Sequence, residues 1–224
     1  MRRLIQLRTY EGALVKAGLG PVAGVDEAGR GACFGPVTVA ACILPPEPVR
    51  GLEILTDSKK LTSAQRDRLF DIICARAVAY SVIHIDASDI DARGIQHANL
   101  DGARRAVDAL APRPGYVLVD AFRIPGLTVP QLPIIGGDAS ARAVAAASVL
   151  AKVSRDRLVD KLACDEAYGR YGIANHKGYG TVAHMDAVRR HGASDLHRYT
   201  YKNVAEAHAL YLEQSTGGAH ANER

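Results

Sequence analysis

Apolar positions in this chain fall into two kinds of run, and the alternation between them predicts the fold. Short unbroken runs read as buried strands: residues 22–26 (Val-Ala-Gly-Val-Asp), then Val37 to Leu44, closed by Pro45-Pro46. The connection between them is short, so the pair is expected antiparallel. Thr62-Ser63-Ala64-Gln65 has the spacing of a capping box. It opens a helix whose apolar face is Leu69, Ile72 and Ile73 and which fades near Ala79. A third strand follows over Tyr80–Ile85, and the stripe Ile95, Leu100, Ala103, Val107, Leu110 predicts a helix. Tyr116-Val-Leu-Val-Asp120 and Leu132-Pro-Ile-Ile-Gly136 read as two more strands, and an alanine-rich helix is expected from Ala139 to Leu162.

Beyond residue 163 the pattern changes. Most of the histidines and tyrosines lie there, with one further helix expected over Val182–Arg190. Residues 213–224 read as a disordered tail. A hairpin followed by β–α–β alternation implies one mixed-sheet α/β domain over 1–224, with its core at about 20–162 and a helical C-terminal appendage over about 163–212.

Composition narrows the function classes only a little. The 224 residues are 48% hydrophobic and 23% charged, which excludes a disordered or collagen-like chain. A formal charge of +4 permits a polyanionic partner without demanding one. Cys33, Cys42, Cys74 and Cys164 contain no C-x-x-C pair, so they read as small buried hydrophobes in a reducing compartment. The basic start, Met1 to Gln6, lacks the apolar core of a signal peptide, and the apolar stretch after Gly31 is broken by Gly35, Pro36, Pro45, Pro46 and Pro48. No membrane association is expected, and a cytoplasmic protein is.

Chemistry enters at Gly24-Val25-Asp26-Glu27-Ala28-Gly29-Arg30-Gly31. Two adjacent carboxylates at the end of an apolar strand are costly to bury without a positive partner, either Arg30 or a cation. The segment has Walker A glycine spacing, but Arg30-Gly31 stands where that motif needs Lys and Ser or Thr; the dinucleotide fingerprint is absent too. A solvated acidic turn remains the plain alternative. Asp120 and Asp138 each follow another apolar run, and strand-end carboxylates converge on one rim if their strands are neighbours. Four such groups cannot all ionise uncompensated. All-oxygen ligation points to Mg2+ or Mn2+, and a pair of such ions suits phosphodiester cleavage.

Taken together, these segments resemble the type 2 ribonucleases H, the bacterial ribonuclease HII group in particular. The matching pieces are Val25-Asp26-Glu27-Ala28-Gly29-Arg30-Gly31 with Gly35-Pro36-Val37; Asp57-Ser58-Lys59-Lys60-Leu61; Val119-Asp120; and Gly137-Asp138-Ala139. They continue with residues 145–153, Arg155-Asp156, His176-Lys177-Gly178-Tyr179-Gly180-Thr181 and His197-Arg198. The resemblance spans roughly residues 20–202 and implies a ribonuclease H-like mixed five-stranded sheet flanked by helices. It implies a metal-dependent endoribonuclease acting on RNA–DNA hybrids and on single ribonucleotides embedded in duplex DNA, leaving 3′-hydroxyl and 5′-phosphate ends. It also implies that Asp26, Glu27, Asp120 and Asp138 hold the metals, that Gly29-Arg30-Gly31 reads the ribose 2′-hydroxyl, and that Tyr179 stacks on the following deoxyribose. Gly137 departs from the lysine that the family often carries before the fourth acid.

Lys59 and Lys60 are candidates for phosphate contacts, with a solvated charge pair as the alternative. Ser148 and Lys152 share a helix face that the resemblance puts near the substrate. Arg155, Asp156 and Arg157 are expected to form local ion pairs worth little. His176, His184, His191 and His197 lack the i,i+4 spacing of a helical zinc site. Two other function classes stay in view: a catalytically silent nucleic-acid binding module, and a phosphotransferase acting on a small nucleotide. A monomer is expected.

Overall fold

A computed structural model describes residues 9–217. Its elements in chain order are α1 (Thr9–Lys16), β1 (Val22–Ala28), β2 (Val37–Ile43), a single 3-10 turn at Ser58–Lys60, α2 (Ser63–Arg76) and β3 (Ala79–Ile85). There follow α3 (Ala87–Arg93), α4 (Ile95–Asp108), β4 (Tyr116–Asp120), β5 (Gln131–Ile134) and α5 (Gly137–Ser140). The chain ends with α6 (Arg142–Ala163), α7 (Glu166–Gly169), α8 (Ile173–His176), α9 (Val182–His191) and α10 (Lys202–Gly217). The strands form one five-stranded sheet in the order β3-β2-β1-β4-β5. As expected, β1 pairs antiparallel with β2; it pairs parallel with β4, which pairs parallel with β5.

The chain divides into two compact units. The first takes the described residues up to Ala28, together with Thr38–His84 and Asn99–Ser154, and it contains the sheet. Side chains alternate across the pleat, so its two faces bury different sets. Ala40 and Cys42 pack with Leu69 and Ile73 of α2 and with Ala146, Ala147 and Leu150 of α6. Val25, Val39, Ala41 and Ile43 pack on the other face with Ala103, Ala106 and Val107 of α4. The alanines of α6 let that helix lie close to the sheet: a Cβ at Gly24 would sit 2.1 Å from the Ala143 carbonyl carbon. Thr62 caps α2 as its spacing predicts, accepting from Gln65 N while the Gln65 side chain accepts from Thr62 N.

The second unit takes Gly29–Val37, Ile85–Ala98 and the chain from Arg155 onward. It is built on Phe34, Val159, Tyr171, Ile173, Met185, Val188, Val204 and Ala207.

Three expectations need correction. The long helix begins at Arg142 and not at Ala139: Asp138 lies on the separate turn α5, and extended backbone at Ala141 breaks the two apart. A distant side chain sets that start, since Glu11 Oε1 accepts from Ala143 N at 2.8 Å and supplies the missing N-terminal acceptor. Secondly, α1 and α3 have no counterpart among the expected elements. Thirdly, 213–217 is helical, because α10 runs on to Gly217 with the Ser215 and Thr216 hydroxyls bonded to the Tyr211 and Leu212 carbonyls. Residues 218–224 and the basic start at Met1–Gln6 lie outside the described residues. Among the described residues no helix is long and apolar enough to cross a membrane.

Candidate active site

Register brings two carboxylates side by side in the first unit. Val25 of β1 is paired with Val119 of β4, so the next residues, Asp26 and Asp120, are neighbours across the parallel ladder. Both lie on the α6 face: Asp26 shares its side of the pleat with Gly24, and Asp120 shares its side with Leu118, which packs on Val144. The next strand out, β5, leads through Gly136, in the left-handed conformation at φ +66°, into α5 and Asp138. Gly137 N donates to Asp120 Oδ1 at 2.8 Å, tying that turn to the neighbouring strand. One carboxylate oxygen from each of Asp26, Asp120 and Asp138 then lies within 4.8 Å of the other two.

Among the described residues, this group contains three of the four expected acids. Glu27, adjacent to Asp26 in sequence and half-buried near the end of β1, is not in this group. Its charge still acts on Asp26. Burial pushes the Asp26 carboxyl well above the ordinary carboxylate range, and Glu27 and Asp120 push it further, against a hydrogen bond from Ser148. Asp138 is raised too, first by burial and then by Asp57 and Asp120, with Lys59 opposing.

When Asp26 is ionised it only accepts, and the Ser148 hydroxyl spends its proton on it. Ser58 Oγ, 2.8 Å from Ser148 Oγ, is then the donor to Ser148. Ser148, expected on the substrate side, is buried in this chain. Lys152, four residues on along α6, is half-buried. Asp57 is a residue that sequence reasoning passed over. It caps the 3-10 turn by accepting from Lys59 N at 2.9 Å, and it shares a side-chain hydrogen bond with Asp138. Its position two residues before Lys59 was the available signal. Lys59 itself faces the cluster: burial pulls its ammonium down, but Asp57, Asp26, Asp138 and Asp120 together outweigh that and raise it.

The donor set is wholly oxygen, and burial together with neighbouring carboxylates raises Asp26 and Asp138. A hard divalent cation relieves that kind of crowding, so the residues fit such an ion.

In the second unit, Gly29-Arg30-Gly31 and Tyr179 lie on segments that pair directly: Ala32 bridges to Tyr179, and Cys33 N donates to Gly178 O at 2.8 Å. Arg30 and Gly31 are exposed, and Tyr179 is 39% exposed. Nothing stands within 4 Å of where a Gly31 Cβ would be. The Arg155 expectation needs correction here. Its guanidinium is fully buried and donates to the carbonyls of Pro36, Lys177 and Phe34, at 3.1, 2.9 and 3.0 Å. Arg198, equally buried, donates to Gly35 O and Arg30 O. Tyr179 is also held from behind by a neutral histidine chain. Its carbonyl can only accept, so His184 Nδ1 carries a proton and His184 Nε2 accepts from His197 Nε2. His197 Nδ1 in turn accepts from Ser194 N. Burial drives both rings down, His184 to about 4 and His197 to about 3.

The ribonuclease HII family model matches residues 23–204. A ribonuclease HII of Corynebacterium efficiens is 65% identical over 208 residues, covering 93% of this chain and 89% of its own. Among solved structures, ribonuclease H2 of Pyrococcus horikoshii OT3 superposes with a TM-score of 0.73 at 26% identity, over 86% of this chain and 99% of that one. Bst-RNase HIII in complex with Mn2+ shares the fold, at a TM-score of 0.65 and 23% identity over 90% of this chain and 74% of that one. The chain therefore belongs to the ribonuclease HII family, endonucleases of the ribonuclease H type.

Proposed function

We propose that this enzyme hydrolyses the RNA strand of RNA–DNA hybrids and incises duplex DNA 5′ to single embedded ribonucleotides, leaving 3′-hydroxyl and 5′-phosphate ends in the service of ribonucleotide removal. The observation that carries this reading is the meeting of Asp26, Asp120 and Asp138 oxygens within 4.8 Å. Asp26, Asp120 and Asp138 are the proposed metal ligands, with the adjacent Glu27 as the proposed fourth. Mg2+ or Mn2+ held by these carboxylates would supply charge neutralisation and Lewis-acid activation for phosphodiester hydrolysis. In the overall reaction the water oxygen bonds to phosphorus, the P–O3′ bond breaks, and a proton from that water ends on O3′, giving the 3′-hydroxyl and a 5′-phosphate.

The protein's own groups do the rest. Ser148 fixes the carboxylate of Asp26 through its hydrogen bond and so acts on the substrate by way of that acid, while Lys59 and Lys152 supply positive charge for the phosphodiester backbone. Gly29, Arg30 and Gly31 are the proposed readers of the 2′-hydroxyl: backbone amides and carbonyls approach it with no Cβ in the way, and the Arg30 guanidinium meets phosphate. Tyr179 offers an apolar platform on which deoxyribose sits better than ribose. The preferred partner is hybrid or ribonucleotide-containing duplex, taken by a monomer in the cytoplasm.

The test is incision of a labelled duplex carrying one ribonucleotide, beside its all-DNA control, with Mg2+, Mn2+ or excess chelator. Cleavage of the first substrate alone, at the 5′ side and only with metal, is expected. Full activity in chelator, or equal cutting of both duplexes, overturns the reading.

A further inference from the structure

We infer that Arg155 is a positioning residue that sets the spacing between the Gly29-Arg30-Gly31 loop and Tyr179, and thereby the preference for a ribose–deoxyribose junction. The inference rests on the proposed reading of that loop and of Tyr179.

One planar guanidinium serves both segments. Nε and one terminal nitrogen donate to Pro36 O and Phe34 O on the strand of chain that follows Gly31, while the other terminal nitrogen donates to Lys177 O, two residues before Tyr179. The Arg155 Cζ also lies 5.6 Å from the centroid of the Tyr179 ring, within cation–π range. A fork of fixed geometry bonded to three carbonyls leaves little freedom for either segment to slide, which a point-charge ammonium cannot reproduce.

Gly29 has a specific part in this. It stands at φ +83°, and a Cβ there would fall 1.9 Å from Arg155 Nε, in the middle of the side chain and not at a yielding end. Gly31 has open space around it. The two glycines of the loop therefore do different work: Gly29 admits Arg155, and Gly31 leaves room for the ligand.

The experiment compares Arg155→Lys, Tyr179→Ala and the double variant, each assayed well below its measured melting temperature. The readout is the ratio of incision rates at a single ribonucleotide and within a ribonucleotide run. Leu69→Ala, a cavity in the sheet core, serves as a control for lost stability and keeps the wild-type ratio. The expected result is a fall in that ratio of about 10²-fold for Arg155→Lys, the loss a displacement near 1 Å produces. Tyr179→Ala falls alike, and the double variant is no worse than either single one, as for residues acting through one contact. Should Arg155→Lys fail to accumulate, Arg155→Gln, which still donates to a carbonyl, reads the same ratio. A variant at Arg155 that keeps the ratio while Tyr179→Ala loses it overturns the inference alone. Tyr179→Ala keeping the ratio overturns the reading beneath it as well.

Discussion

Replacing Asp26 with asparagine should destroy activity and yet stabilise the metal-free fold. Asp26 is 6% exposed, and one of its oxygens lies within 4.8 Å of one oxygen from each of Asp120 and Asp138. At that separation two ionised carboxylates repel by about 3.5 kcal/mol at an effective dielectric of 20. If Asp26 takes up a proton instead, folding at pH 7 must lift it from an ordinary value of 3.8. At about 1.4 kcal/mol per pH unit, the cost of that proton is bounded near 4 kcal/mol. Asparagine removes either cost. It keeps an acceptor for Glu27 N, now 2.7 Å from Asp26 Oδ1, but weakens the charge-assisted bond from Ser148, which gives back about 1 kcal/mol.

A net gain of about 2–3 kcal/mol remains, or roughly 5–10 °C in a domain of this size. The sign fixes the pH course. Asp26 has its folded-state pKa raised, so its contribution is fully present below the unfolded value near 3.8 and is lost as pH rises through the folded value. Calorimetry in chelator should therefore find the two proteins alike near pH 4 and the variant increasingly more stable towards pH 7. Saturating Mn2+ should reverse the order. A variant less stable than wild type at pH 7 in chelator, or a difference that ignores pH, refutes the reasoning.

Other predictions are sharper in kind than in size. Ser148→Ala strips the donor from Asp26 and leaves the buried Ser58 hydroxyl without its Ser148 partner, so kcat should fall about tenfold with a stability loss of about 1–3 kcal/mol, read by single-turnover kinetics and urea denaturation. Gly24→Ala forces a Cβ to 2.1 Å from the α6 backbone and should cost more than about 3 kcal/mol, seen as loss of soluble protein or of the denaturation midpoint. Thr62→Ala removes one half of a capping box far from the acids and should cost about 1 kcal/mol with kcat unchanged.

Local signals were legible in the sequence, and non-local ones were not. Thr62 and Gln65 are three residues apart, and the β1–β2 pair is joined by a short loop, so spacing alone carries both. Asp120 could be placed at a strand end because every residue before it in β4 is apolar or aromatic. Glu27 is a different case, since it is adjacent to Asp26 in sequence yet lies outside the group of three. The start of α6 depends on Glu11, more than a hundred residues earlier, which no helical pattern contains. Arg155 read as a partner in local ion pairs because it stands beside Asp156 in sequence. Its true partners are carbonyls of segments remote in sequence. Asp57 was visible but overlooked, its part in the acid cluster depending on the Asp138 side chain 81 residues further on.

The most direct test of the acid cluster is a crystal of the wild-type protein grown with Mn2+, with anomalous scattering collected at the manganese edge. A peak within about 2.0–2.6 Å of oxygens from Asp26, Asp120 and Asp138 together is the predicted result. Manganese bound elsewhere with these three carboxylates unengaged, or no peak at all at saturating metal, contradicts it.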